Sequence, residues 1–452
     1  MRNKLWSFCF CCLFMMCAFA QETPVSAQYS FTLDEAIEFA LENSYQSINA
    51  RRDVAKALKQ KWETTAAGLP QINGSVDYQN QLKQPVTLIP AEFTGGDPGT
   101  FVPVVFGTKE QLSATATLTQ LLFDGSYLVG LEAAKSFLQY SDDVEEKTQL
   151  EVRKGVINAY GSVLVAKESV KILQDNKTAL EKNFNETQQI FKNGLAEEED
   201  VEQLQITLLQ IESQLNNAER LSKIALQMFN LTIGIDVDTA SILSDTLDKL
   251  TTKNIDPAIT AEPFTIENSV DYRLGYLLTE QRRLELKLEK SKALPSLSAF
   301  VNYGTAAFSD SFTFLDSDQP YFQSSILGVS LTVPIFSSLK RSAKTQQAKI
   351  AFEQANTSFI ETQQQIQLSY NNAVSEYTFS IENYQTIQQN LALAERIENK
   401  NQIKYTEGIA SSFELRQAQL QLYSVQQELL QAMLDIINKK AELETILNTP
   451  NN

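Results

Sequence analysis

The chain has 452 residues, 55 acidic against 38 basic side chains and a net charge of −17, with no histidine and four cysteines. Such an acidic balance argues against nucleic acid as a partner. Without histidine, Ser-His-Asp and Cys-His catalysis and the usual His-bearing zinc sites are excluded. No catalytic residue, metal ligand or cofactor is expected, and the chain reads as no enzyme.

Residues 1–20 read as a secretory signal peptide. Arg2 and Lys4 precede an apolar stretch from Leu5 to Phe19, and Ala18-Phe19-Ala20 ends just before Gln21, which is a charged start, an apolar middle and a small-x-small cleavage site. That stretch is too short to span a bilayer as an ordinary helix. Lipid attachment at Cys17 is a rival route, but Phe14, Met15 and Met16 are bulky where a lipoprotein signal wants small residues. Cys9, Cys11, Cys12 and Cys17 all fall in this segment, so a mature chain from Gln21 would carry neither a disulfide nor a catalytic thiol. Beyond it no apolar run reaches the length of a spanning helix, so a membrane role needs strands or an anchor.

Next in chain order, Leu33 to Thr65 is predicted helical. A β-hairpin over 73–122 follows: Val76, Tyr78 and Leu82 alternate with polar neighbours, as do Leu112, Ala114, Ala116 and Leu118 with Ser113, Thr115, Thr117 and Thr119. Each strand has about the length of a tilted membrane strand, and a Gly/Pro/Phe-rich loop, Lys83 to Glu110, joins them. A long helix is predicted over 126–193, with apolar residues at Val152, Val156, Ala159, Val163, Ala166, Val170, Leu173, Leu180, Phe184 and Phe191. A second covers 197–232, through Val201, Leu204, Leu208, Ile211, Leu215, Ala218, Ala225 and Phe229. Steps of three and four residues are the heptad signature of coiled-coil packing.

The pattern then repeats. Ala67-Gly68-Leu69-Pro70 returns as Lys292-Ala293-Leu294-Pro295, Leu118-Thr119-Gln120-Leu121-Leu122-Phe123 as Leu331-Thr332-Val333-Pro334-Ile335-Phe336, and Phe191-Lys192-Asn193-Gly194 as Tyr405-Thr406-Glu407-Gly408. Repeat 1 therefore covers 21–235, a linker with Pro257 covers 236–263, and repeat 2 covers 264–452. Repeat 2 should hold a helix over 264–293 and a hairpin over 297–336, with Leu297, Ala299, Val301 and Tyr303 on one strand and Val329, Leu331, Val333 and Ile335 on the other. Helices over 338–407 and 411–447 complete it. Each long helix would run about 100 Å and the others roughly half that, so two short helices end to end match one long one. Leu121 stands where repeat 2 has Pro334, and the strand-to-helix bend there is assigned to Gly125. Phe308, Phe312, Phe314, Tyr321 and Phe322 are candidates for an interfacial aromatic girdle.

Four strands cannot close a barrel, and open edges cannot face lipid, so strands in a membrane demand more than one chain. Taken together, the duplicated halves, the Leu-Pro pairs entering a strand, Leu331-Thr332-Val333-Pro334-Ile335-Phe336, and an aromatic-x-x-Gly with an acid six residues on (Phe191, Gly194, Asp200; Tyr405, Gly408, Glu414) resemble the outer membrane factor (TolC-like) family.

The resemblance implies an α+β membrane protein: a homotrimer with a 12-stranded β-barrel, four strands per chain, in outer-membrane lipid. That barrel would be continuous with a long α-helical coiled-coil barrel in the periplasm. It implies a passive duct for efflux or type I secretion, opened at its periplasmic tip by a periplasmic adaptor (membrane fusion) protein and an inner-membrane RND or ABC transporter. By the same resemblance the gate falls on Asp200, Tyr405, Glu414 and Gln417. Gln417 stands where the family has a second acid, and Ala410 where it has an arginine. Gly194, Leu195, Gly408 and Ile409 would form the tips that the adaptor touches; each glycine also reads as a helix-ending residue. Two rival readings account for less. A soluble periplasmic coiled-coil scaffold leaves the two hairpins unexplained, and a two-carboxylate hydrolase has only scattered helical acids.

Overall fold

A computed structural model describes residues 29–260 and 263–448. The predicted signal peptide and Cys17 lie outside the described residues. In chain order the elements are β1 (Tyr29–Phe31), α1 (Leu33–Asn43), α2 (Tyr45–Ala66), β2 (Gln71–Asn80), β3 (Val86–Pro90), β4 (Phe101–Val105), β5 (Glu110–Asp124) and α3 (Gly125–Lys192). There follow α4 (Glu198–Ile233), β6 (Ser241–Leu243), α5 (Leu247–Asn254), α6 (Val270–Ser291), β7 (Ser296–Ser309), β8 (Phe322–Thr332), α7 (Lys340–Thr406) and α8 (Ser412–Leu447). No helix among the described residues is long and apolar enough to cross a membrane.

The chain divides into two compact units. One holds Arg51–Glu145 and Val270–Gln365, and the other holds the described residues up to Ala50, Glu146–Ser269 and those from Ile366 on.

The first unit is built on an antiparallel sheet of order β2-β5-β7-β8. β5 pairs with β7, so the hairpins of the two repeats form one sheet whose outer strands each have a single neighbour. Directly opposed residues share a face of a pleated sheet. Ile72, Leu118, Val301 and Leu327 make one row across all four strands, and Ser75, Thr115, Gly304 and Ser324 make a row on the opposite face. One side is thus mostly apolar; the other is mostly polar or small in β2 and β5 but also carries Phe300 and Phe308 of β7 and Phe322 and Ile326 of β8. A bulge between Leu121 and Phe123 shifts the register of β5, putting Phe123 opposite Leu297, which in turn faces Leu331. Without that extra residue Phe123 would fall on the polar face.

Three sequence expectations change here. The loop Lys83 to Glu110 contains its own antiparallel ladder, β3 with β4. β8 ends at Thr332, so Val333 and Ile335 are not strand residues; Pro334 has no N–H to donate to a ladder. The turn into α3 is secured by Asp124, whose Oδ1 accepts from the amides of Ser126 at 2.6 Å and Tyr127 at 3.1 Å, as a helix cap does. Gly125 serves close packing instead, since a Cβ there would lie 2.6 Å from Leu294 Cδ1. The five aromatics also divide. Phe314 is buried against Tyr78 and Phe312, whereas Phe308 and Phe322 lie in register with the polar face, so they form no single girdle.

In the other unit β1 pairs in parallel with β6, tying the start of repeat 1 to the linker. Phe31, Ala36, Ile37 and Ala40 pack there with Val156, Tyr160, Phe229, Ile233, Leu247 and Ile437 in one apolar core. The buried Tyr160 hydroxyl lies 3.0 Å from the Phe31 carbonyl and accepts from the Asp245 amide at 3.2 Å. The helix expected over 33–65 is two helices. Ser44, with ψ 145°, breaks it and accepts from the Ser47 amide at 3.2 Å through its buried hydroxyl. The parts of α3, α4, α7 and α8 in this unit pack as coils through clusters such as Leu173, Leu180, Ile211, Leu215 and Tyr423.

Candidate functional site at the helical tips

α3 ends and α4 begins across a short turn, and α7 and α8 do the same. Gly194 and Gly408 take φ +74° and +71°, the left-handed region that glycine enters without penalty. The Leu195 amide reaches the Ile190 carbonyl at 3.1 Å and the Ile409 amide reaches the Lys404 carbonyl at 2.8 Å, the closing bond of a glycine-capped helix end. A Cβ at either glycine would meet nothing within 4 Å. Gly408→Ala is therefore expected to cost about 1–2 kcal/mol of left-handed strain, confined to the turn. Hydrogen exchange should rise across 404–412 and stay unchanged in α1.

Four side chains then join the two turns. Tyr405 Oη lies 2.6 Å from Thr187 Oγ1, and Ser412 Oγ donates to Asp200 Oδ1. One turn of helix further in, the amides of Asn183 and Gln402 bond reciprocally at 3.1 and 3.3 Å, and about two turns beyond them Asn176 donates to Gln426 at 3.0 Å. Thr187 is fully buried, and Asn183 and Ser412 nearly so. Burial pushes the Tyr405 hydroxyl pKa up; the Thr187 hydrogen bond opposes this, and the negative charges of Asp200 and Glu186 add to it. The phenol therefore stays protonated and can donate at any physiological pH.

Asp200 and Tyr405 thus belong to one cluster, but among the described residues no hydrogen bond joins them directly. Each has its own partner, Ser412 and Thr187. Glu414 is exposed and its carboxylate turns back on its own helix: Oε2 accepts from the Ser411 amide at 3.0 Å, and the Glu414 amide donates to Ser411 Oγ at 3.3 Å. That reciprocal pair is a capping box. Gln417 is exposed on the next turn. Leu195 is 81% exposed and Ile409 76%, so both turns carry an apolar side chain in solvent.

Thr187, Ser412, Asn183 and Gln402 were not picked out from sequence. Carrying the three-four step strictly past Leu173 lands on Asn176, Leu180, Asn183 and Thr187, whereas following only apolar residues diverts to Phe184 and Phe191, which are partly exposed and exposed. The signal was a heptad seam turning polar toward its end.

The chain is similar to several known proteins. The family model for outer membrane efflux proteins matches residues 36–234 and 268–449, one match per repeat. The outer membrane protein TolC of Vibrio cholerae is 25% identical over 347 residues, 74% of this chain and 72% of that protein. The alkaline protease secretion protein AprF of Pseudomonas aeruginosa is 22% identical over 342 residues, 73% of this chain and 68% of its own length. The crystal structure of CusC, described in terms of transmembrane channel formation, superposes with a TM-score of 0.72 at 16% identity, over 92% of this chain and 91% of CusC.

Proposed function

The chain belongs to the outer membrane efflux protein family, and from that premise we propose how its sheet and its tips divide the labour of a duct. It is an outer-membrane channel with a helical periplasmic extension, an exit duct for efflux or type I secretion and no enzyme. The two-faced sheet carries the reading. Its apolar rows face lipid and its polar rows line a water-filled lumen, and its single-neighboured strands β2 and β8 pair with those of adjacent copies. Three copies supply twelve strands and close the barrel, which leaves no edge in the bilayer.

The tips form the gate. Asp200 with Ser412 and Thr187 with Tyr405 hold the two helical turns of one chain together, and Glu414 and Gln417 stand exposed beside them. Leu195 and Ile409, presented by the Gly194 and Gly408 turns, offer the apolar points on which a periplasmic adaptor docks. An inner-membrane transporter of the RND or ABC class feeds the opened tip.

The sheet assignment is tested by a pair of lysines. Leu327→Lys puts a charge in an apolar row and should cost about 2–4 kcal/mol at the bilayer midplane, whereas Thr117→Lys puts the same charge on the polar face. The expected result is loss of assembled protein from the outer membrane for Leu327→Lys only, with Thr117→Lys inserted and altered in ion selectivity. Equal insertion of both would overturn the assignment of faces.

A further inference from the structure

At the end of the sheet nearest the helices, one groove lies on the apolar side. It is a cavity of about 510 Å³ lined by Phe123, Gly125, Leu128, Val129, Glu132, Lys287, Lys290, Ser291 and Leu294. Phe123 enters it because the β5 bulge turns that ring onto the face of Leu297 and Leu331, so the groove continues the surface that meets lipid. Leu128 and Leu294 are also exposed. Its other end is basic. Lys287 pairs with Glu132, which Arg283 also approaches at 3.3 Å, and Lys290 in the last turn of α6 stands exposed with no ion pair among the described residues. The chain carries a net charge of −17, so a surplus ammonium beside an apolar cleft is a local exception.

We propose that this groove binds an anionic glycerophospholipid of the periplasmic leaflet, acyl chains along Phe123, Leu128 and Leu294 and phosphate against Lys290 and Lys287. The inference rests on the strands standing in the bilayer. Helices that extend into the periplasm begin at this end of the strands, so the groove lies at the depth of the inner-leaflet headgroups. A basic cluster at that depth attracts anionic lipid, and long lysine stems lie along apolar surface while their charge stays wet. A glycerol headgroup suits the pair better than ethanolamine, whose own ammonium the lysines repel.

The test uses the full chain purified from membranes and exposed to equal amounts of phosphatidylglycerol and phosphatidylethanolamine, with retained lipid counted by native mass spectrometry. Retention should favour phosphatidylglycerol by about tenfold. Lys290→Gln, which leaves the Lys287–Glu132 pair intact, should bring that ratio close to one, whereas Lys290→Arg and the distant Lys223→Gln should preserve it. Equal retention of both lipids by the unmodified protein, or an unchanged ratio in Lys290→Gln, would overturn the site. So would a loss of assembly in Lys290→Gln without lipid preference in the parent, since a second copy would then cover the groove. A tryptophan at Leu327, in a Trp62→Phe background, separates this from the barrel itself. Quenching by brominated acyl chains with no headgroup preference sinks the groove alone, and absence of quenching sinks the strand placement beneath it.

Discussion

Replacing Tyr405 by Phe and Ser412 by Ala in the same chain should shift the tip toward its open state by roughly a hundredfold per chain. The double change removes one neutral hydrogen bond, worth about 1 kcal/mol, and one to a carboxylate, worth about 2 kcal/mol; every 1.4 kcal/mol is a factor of ten. The loss falls on the closed state. There Thr187 is fully buried and would keep a hydroxyl without its phenol partner, and Asp200 would keep a charge without its Ser412 donor. Once the turns separate, water serves both groups and the missing partners no longer matter. Single-channel recording in planar bilayers should therefore show longer open dwells and higher mean conductance. Ser411→Ala, which removes only a helix cap, should leave dwell times near the parent's. Dwell times unchanged in the double variant would mean that the tip is held by something other than these two bonds.

The polar character of this seam explains why a partner could open it. A buried leucine gains about 1.5–3 kcal/mol from leaving water; Leu204 and Leu415, fully buried about one turn in from Asp200 and Ser412, are held that way, and a seam of leucine throughout would be held more firmly still. Hydrogen-bonded layers trade one set of partners for another at small net cost, yet still specify register because a mismatched layer leaves buried donors unpaired. Deeper along the same helices Leu173, Leu180, Ile211 and Leu215 restore an apolar cluster. On the proposed function, the hydrogen-bonded layers are the part of the tip that an adaptor parts at small cost, and Leu204 and Leu415 set the larger share of what it supplies.

Much of this was legible in the sequence because periodicity is a property of residue order. The dyad pattern of Leu112 to Leu118 and the heptad pattern of Leu415 to Ile446 each appear as an element of matching period, and the Gly194 and Gly408 turns fall where the repeat placed them. What was missed depends on long-range pairing or on single hydroxyls. Nothing near Tyr29 announces that it will pair with Ser241, because a three-residue strand has no period to show. Ser44 breaks a helix with a hydroxyl that any surface serine also carries, and only its burial against the neighbouring core makes it structural. At the site, resemblance directed attention to Asp200 and Tyr405 but could not supply their partners, because Ser412 and Thr187 are ordinary residues until the helices meet.

Gly234→Ala should be the most disruptive single methyl in the described chain. Gly234 ends α4 with φ +89°, its amide bonded to the Asn230 carbonyl at 3.1 Å, and the Ile235 amide returns to the same carbonyl at 3.0 Å. So far this matches Gly194. The difference is what stands opposite: a Cβ on Gly234 would lie 2.3 Å from the Asn43 carbonyl oxygen and 2.9 Å from Ser44 Cα. Those atoms are backbone at the corner between α1 and α2, so no side chain can swing away. Left-handed strain of about 1–2 kcal/mol is joined by an overpacking penalty of about 1–3 kcal/mol or more. To relieve it the α1 corner must withdraw from α4, pulling Ile37 and Ala40 from Phe229 and Ile233. Hydrogen exchange of the α1 amides should accelerate by roughly two to three orders of magnitude, while Gly194→Ala, also at positive φ but with open space around it, should leave α1 unchanged. If the two variants perturb α1 alike, the close approach contributes nothing and the corner is softer than its packing implies. If they differ as argued, Gly234 is what lets α1 seal the core around Tyr160.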